Sequence, residues 1–100
     1  MAENRTRAAR LVLQEIRRLA PEGGVGVVVD RRAGGNAGWS VTITHGGVRV
    51  SALVVGSDED PYAVPDGLFA VVARDLLTDA RKKAARREAA RGRGNSENRS

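Results

Sequence analysis

An α+β fold with the order αβββα follows from three features of the sequence. Helical apolar stripes run through residues 6–20 and again from Gly67 to Ala80, and between them lie two alternating apolar runs joined by Gly46 and Gly47. A short valine-rich run at 25–30 supplies a third strand. Consecutive strands joined by short turns predict a three-stranded antiparallel meander. Both helices are expected on one face of it, and the second helix is expected to continue as a long basic C-terminal extension.

The hairpin carries the most information. Trp39 to His45 and Val48 to Val55 alternate, and a Gly-Gly pair between alternating runs signals a two-residue turn. Pairing His45 with Val48 sets Trp39 opposite Val54, Val41 opposite Ala52 and Ile43 opposite Val50 on a dry face. Ser40, Thr42, Thr44, Arg49 and Ser51 then fall on a wet face, with Leu53 and Val55 exposed near one end. Burying Trp39 removes about 150–250 Å² from water, roughly 4–6 kcal/mol, so the dry face needs a cover that the helices can provide.

In the first helix Ala8, Val12, Ile16 and Leu19 share a face, with Ala9, Leu11 and Leu13 at its margins. Asn4 or Thr6 is a suitable cap, and Pro21, Gly23 and Gly24 end the helix. The opposite face holds Arg7, Arg10, Gln14, Arg17 and Arg18 with no acid among them, which reads either as a solvated surface or as a cationic stripe facing a ligand. Glu15, at the edge, can pair with Arg18.

In the strand at 25–30, Val25, Val27 and Val29 should face the core. The following RRAGGNAG reads as a loop tipped by Arg31 and Arg32. It lacks the glycine spacing, the Lys-Ser/Thr pair and the following helix of a phosphate-cradling loop, although the two arginines can still touch a polyanion. After the hairpin, SDEDPYAVPDG is an acidic connector. Asp58, Glu59 and Asp60 lack calcium-loop spacing and read as solvated acids. Pro61 and Pro65 should hold the connector extended, and Asp66 is a plausible N-cap.

Phe69, Val72, Ala73, Leu76, Leu77 and Ala80 form the stripe of the second helix. Continuing that stripe reaches Lys83 and Arg87, so the helix can persist through KKAARREAAR but stops facing an apolar core; Asp79 and Lys83 form an i,i+4 pair. Gly92 and Gly94 should stop it. The expected organisation is a single domain at 6–80, a projecting basic helix at 81–91 and a tail at 92–100 that is disordered by composition.

Charge is distributed unevenly. Residues 1–20 carry five Arg and two Glu, residues 21–66 three Arg and six acids, and residues 67–100 nine basic residues and four acids, giving +3, −3 and +5 for the total of +5. A basic tail on a nearly neutral body is a common footprint of nucleic-acid binding, and also occurs as a solubilising appendage. Fifteen of the 17 basic residues are Arg, which suits bidentate phosphate contacts, although Arg and Ala richness together can also reflect a genome's base composition. The absence of cysteine excludes disulfides and thiolate chemistry, and no apolar run approaches a membrane span or a signal peptide, so a cytoplasmic protein is expected.

The order helix, three antiparallel strands, helix resembles the double-stranded-RNA-binding domain. KKAARREAA is similar to the KKxAxxxA pattern with which that family's last helix meets phosphates, and this would put Lys82 and Lys83 in the phosphate-contacting role. In the family the lysines open the helix; here they come about four turns into it. Within the same layout, the run from THGG to VPDGLFAVVARDLL resembles the small HicA-type toxins that cleave mRNA. Their catalytic histidine rides on a Gly-rich turn that corresponds to GGNAGW, where this chain has none. Its single histidine, His45, stands at the hairpin turn without an adjacent partner, so no catalytic residue, cofactor or metal is expected.

The expected function is nucleic-acid binding, RNA rather than DNA, through phosphate contacts largely independent of sequence. The contacting residues would be Arg7, Arg10, Arg17, Arg31, Arg32, Lys82, Lys83, Arg86, Arg87, Arg91 and Arg93. Trp39 reads as core, and Tyr62 and Phe69 stand apart from the basic residues, which argues against base stacking. The alternative is a protein-interaction module, an inhibitor or adaptor of phage or mobile-element type. It would use the sheet edge or the acidic loop and carry the basic tail for solubility. A degenerate toxin of the HicA type is a third reading.

Overall fold

In the computed structural model the backbone is described for residues 2–99 and side chains for residues 7–91. The elements are α1 (Ala2–Leu19), β1 (Val25–Arg32), a 3₁₀ turn (Gly34–Asn36), β2 (Gly38–His45), β3 (Val48–Val54) and α2 (Asp66–Arg99). The strands form an antiparallel meander in the order β1-β2-β3, with both helices against one face. This is the expected αβββα layout, compatible with that of the double-stranded-RNA-binding domain. The expected caps Asn4 and Thr6 fall within α1, which begins at Ala2, and α2 is continuous past Gly92 and Gly94, where a stop was expected, to Arg99; the side chains of residues 92–100 lie outside the described ones.

The hairpin register is the one that alternation demands: Trp39 opposite Val54, Val41 opposite Ala52, Ile43 opposite Val50 and His45 opposite Val48. Gly46 and Gly47 have φ of +57° and +77°, the conformation of a two-residue turn whose twist matches the strands. On the covered face Val29, Trp39, Val41, Ile43, Val50 and Val54 meet Val12 and Ile16 of α1 and Phe69, Ala73, Leu77 and Ala80 of α2 in one core. It contains no buried polar residue among the described ones.

Two elements depart from expectation. β1 runs on to Arg32, pairing Arg31 with Trp39 and Arg32 with Gly38, so these arginines belong to a strand and not to a loop. The strand persists because Gly38 brings β2 back into register at once. A side chain there would put its Cβ 2.7 Å from the Val54 carbonyl oxygen.

The connector folds back instead of extending. The Asp60 carboxylate accepts the Tyr62 amide at 3.1 Å, the Ser57 hydroxyl accepts the Asp60 amide at 3.1 Å, and the Gly56 amide donates to the Pro61 carbonyl at 2.7 Å. These side-chain bonds outweigh the extended bias of the two prolines. The fold-back lays Tyr62 over Trp39, whose indole N–H donates to the Tyr62 carbonyl at 2.9 Å. Trp39 is therefore covered by the connector as well as by the helices.

Candidate nucleic-acid interface

The two helices run in the same direction, tied together by charge along their seam. Arg7 pairs with Asp66 at one end, and Arg81 lies at the other, 3.7 Å from Glu22 and donating to the Leu19 carbonyl at 3.3 Å. Within α1, Arg18 grips Glu15 through two bonds of 2.6 and 3.1 Å. These hydrogen bonds, and then the charges of Arg18 and Arg74, hold the Glu15 carboxyl below its ordinary range against the opposing effect of burial. Asp66 thus sits in the first turn of α2 but spends its carboxylate on Arg7.

The nominated cations divide into those the protein engages itself and those it leaves to solvent. Arg7 is held by Asp66, Lys83 by Asp79 at 3.2 Å, and Arg91 is near Glu88 at 4.0 Å. Arg87 donates to the Gly47 carbonyl at 3.0 Å, and Ala84 lies against Gly46, so α2 stays on the hairpin tip for about two turns beyond Ala80. Arg31 stacks on the Tyr62 ring, 3.9 Å from its centroid. Arg32 is exposed on the opposite side of the sheet, and its carbonyl accepts the Tyr62 hydroxyl at 2.7 Å. Arg93 lies outside the described side chains.

Arg10, Arg17, Lys82 and Arg86 are exposed and make no ion pair or hydrogen bond among the described residues. At 3.6 residues per turn Arg10 and Arg17 fall opposite the buried Val12, and Lys82 falls opposite the buried Ala80 with Arg86 one turn on. Both helices sit on the same side of the sheet, so these groups point outward from the same layer. The neighbouring pairs of Lys83 and Arg91 are half exposed or more, and exposed ion pairs are worth only about 0–1 kcal/mol. A phosphate can therefore exchange into them.

A second feature was not visible in the sequence. A cleft of about 350 Å³ opens where the second and third turns of α1, the first turn of α2, the connector and the Arg31 end of β1 meet. Trp39, Tyr62 and Phe69 cluster edge-to-face there, at centroid separations of 6.0 and 6.4 Å from the indole. The expectation that Tyr62 stands apart from basic residues is thereby overturned, because the folded-back connector carries it to Arg31. Part of the signal was available: the alternation that points Val25, Val27 and Val29 inward also points Arg31 inward once the strand is extended by two residues.

On the open face of the sheet Val28, Leu53 and Val55 are 54%, 43% and 45% exposed, beside a Thr42–Ser51 hydroxyl pair at 2.8 Å. His45 lies at the hairpin end. Its Nδ1 is buried and has no hydrogen-bond partner among the described residues, so the orienting bond that a general base needs is not made at that nitrogen. No group of three or more metal-ligating side chains forms among the described residues, and no helix there is long and apolar enough to cross a membrane. Compared with known proteins, the chain matches no family model, no curated protein and no solved structure.

Proposed function

We propose that this domain binds nucleic acid, RNA in preference to DNA, by laying its helix layer against phosphates, as the resemblance to the double-stranded-RNA-binding layout suggests. The observation that carries the proposal is the outward set Arg10, Arg17, Lys82 and Arg86, which the protein's own carboxylates do not neutralise although they neutralise the arginines of the helix seam. Lys83 and Arg91 join this set by exchange. The helix-layer interface is thus narrower than the eleven cations nominated from charge alone: Arg87 is held at the hairpin tip, and Arg7 and Arg31 lie at the cleft and not on this outward face.

Phosphate contacts of this kind release counterions, so the logarithm of the association constant falls by about 0.7–0.9 per contact per decade of salt. Four to six contacts give a slope of about −3 to −5. The test is binding of the full chain to duplex RNA, duplex DNA and single strands across a salt series, repeated on the chain truncated after Ala80. Duplex RNA should bind most tightly at low salt, and the truncation should lower both affinity and slope. Absence of binding at low salt refutes the proposal.

A second reading is favoured by the open sheet face, where Val28, Leu53 and Val55 are exposed together. An inhibitor or adaptor would use that face or the bare edge of β3 to recruit a protein partner. Substituting Val28 and Leu53 by Ser leaves nucleic-acid binding unchanged on the first reading, and abolishes the protein's binding activity on the second.

A further inference from the structure

We infer that the cleft at the Arg31 end of the molecule is a binding site for a single unpaired purine nucleotide, guanine above all. The inference rests on the nucleic-acid reading for its choice of ligand and adds a site that the phosphate-binding helix layer does not contain. At about 350 Å³ the cleft lies at the low end of the range for small-ligand sites, roughly 300–1,000 Å³. Its apolar lining comes from Leu11, Trp39, Val64 and Phe69, and its charged lining from Arg7, Arg31, Asp60 and Asp66.

That lining fits a base better than a bare anion or a purely apolar group. A flat aromatic ligand is matched by Arg31, whose guanidinium already lies over Tyr62, since unpaired bases stack on aromatic rings and on arginine planes. The two acids offset the two arginines, so a lone phosphate meets no net attraction, while a carboxylate accepts hydrogen bonds of the kind that guanine's adjacent ring and exocyclic N–H groups donate. Asp60 uses one oxygen on the Tyr62 amide, which orients the carboxylate and leaves the other oxygen to accept one N–H of the base. Arg7 is bound to Asp66 in a pair exposed on both sides, 65% and 51%, which a nucleotide phosphate can open at little cost.

The chain supplies its own reporter. Trp39 is the single tryptophan, it lines the cleft, and its indole N–H donates to the Tyr62 carbonyl. The indole N–H resonance of the full chain, followed during titration with GMP, AMP, CMP, UMP and inorganic phosphate, reads occupancy directly. We expect a saturable shift with GMP, a weaker one with AMP, and little with the pyrimidines or phosphate. Asp60→Asn, which keeps the oxygen that accepts the Tyr62 amide, should weaken GMP about tenfold, and Ala63→Phe should fill the cleft and abolish the response. Arg31→Leu provides a variant that does not fill the cleft, should Ala63→Phe disturb the fold, and it too should weaken GMP.

No shift up to the solubility of GMP overturns the inference, as does a shift of equal size with inorganic phosphate or with all four nucleotides. Arg10, Arg17, Lys82 and Arg86 do not line the cleft. Loss of duplex binding with the GMP response intact therefore refutes the helix-layer reading alone, and the converse refutes the cleft alone.

Discussion

Single residues carry more of this architecture than their size suggests. Gly38 sits where β1 turns back into β2, and a Cβ there would meet the Val54 carbonyl oxygen at 2.7 Å and the Val55 side chain at 3.1 Å. Gly38→Ala should destabilise the domain by about 1–3 kcal/mol through forced backbone movement, read as a lower urea midpoint. An unchanged midpoint would show that the strands yield. Glu15 makes a different contribution. Its pKa is depressed in the folded state, so its stabilising effect is present above the ordinary carboxylate range and is lost as pH falls through the depressed value. The stability difference between the native chain and Glu15→Gln should accordingly shrink on acidification, measured by denaturant unfolding at several pH values. A difference that grows toward acid pH would contradict the Arg18 pairing. At this scale the sequence is partly transparent. The Glu15–Arg18 and Asp79–Lys83 pairs are visible as helical neighbours. The Arg31–Tyr62 stack joins residues 31 positions apart through a connector whose shape depends on side-chain bonds of Ser57 and Asp60, and no local pattern announces it.

Among the elements, β2, β3 and the first four turns of α2 were legible because two constraints agree in each. The Gly46-Gly47 turn and the alternation both select the same register, and the α2 stripe from Phe69 to Ala80 has the right period and length to cover it. Leu77, 1% exposed at the centre of that stripe, should cost about 2–5 kcal/mol when cut to Ala, by calorimetry or urea unfolding. The turns after Ala80 were legible only as helix. Their apolar stripe ends there, yet Arg87 still reaches the Gly47 carbonyl, because a long guanidinium can bond a backbone oxygen where an aliphatic side chain would no longer be buried. Arg87→Ala should therefore lower stability by only about 0.5–1.5 kcal/mol, the net value of one hydrogen bond. A loss as large as that of Leu77→Ala would mean that the hairpin tip depends on α2 far more than this contact implies.

For the molecule as a whole, the uneven charge of the chain is plain in the sequence, but its fate is not. Parallel packing of α1 and α2 brings Arg7 to Asp66 and Arg81 to Glu22 across long sequence separations, and so pairs the seam cations with carboxylates while leaving Arg10, Arg17, Lys82 and Arg86 unpaired among the described residues. The most direct measurement is the salt dependence of duplex-RNA binding for the native chain and for a variant with those four residues changed to Gln. A shared phosphate-binding face predicts that the slope becomes shallower by about 3, close to 0.7–0.9 for each charge removed. A slope that stays the same would contradict it, and would return the binding function to some other surface.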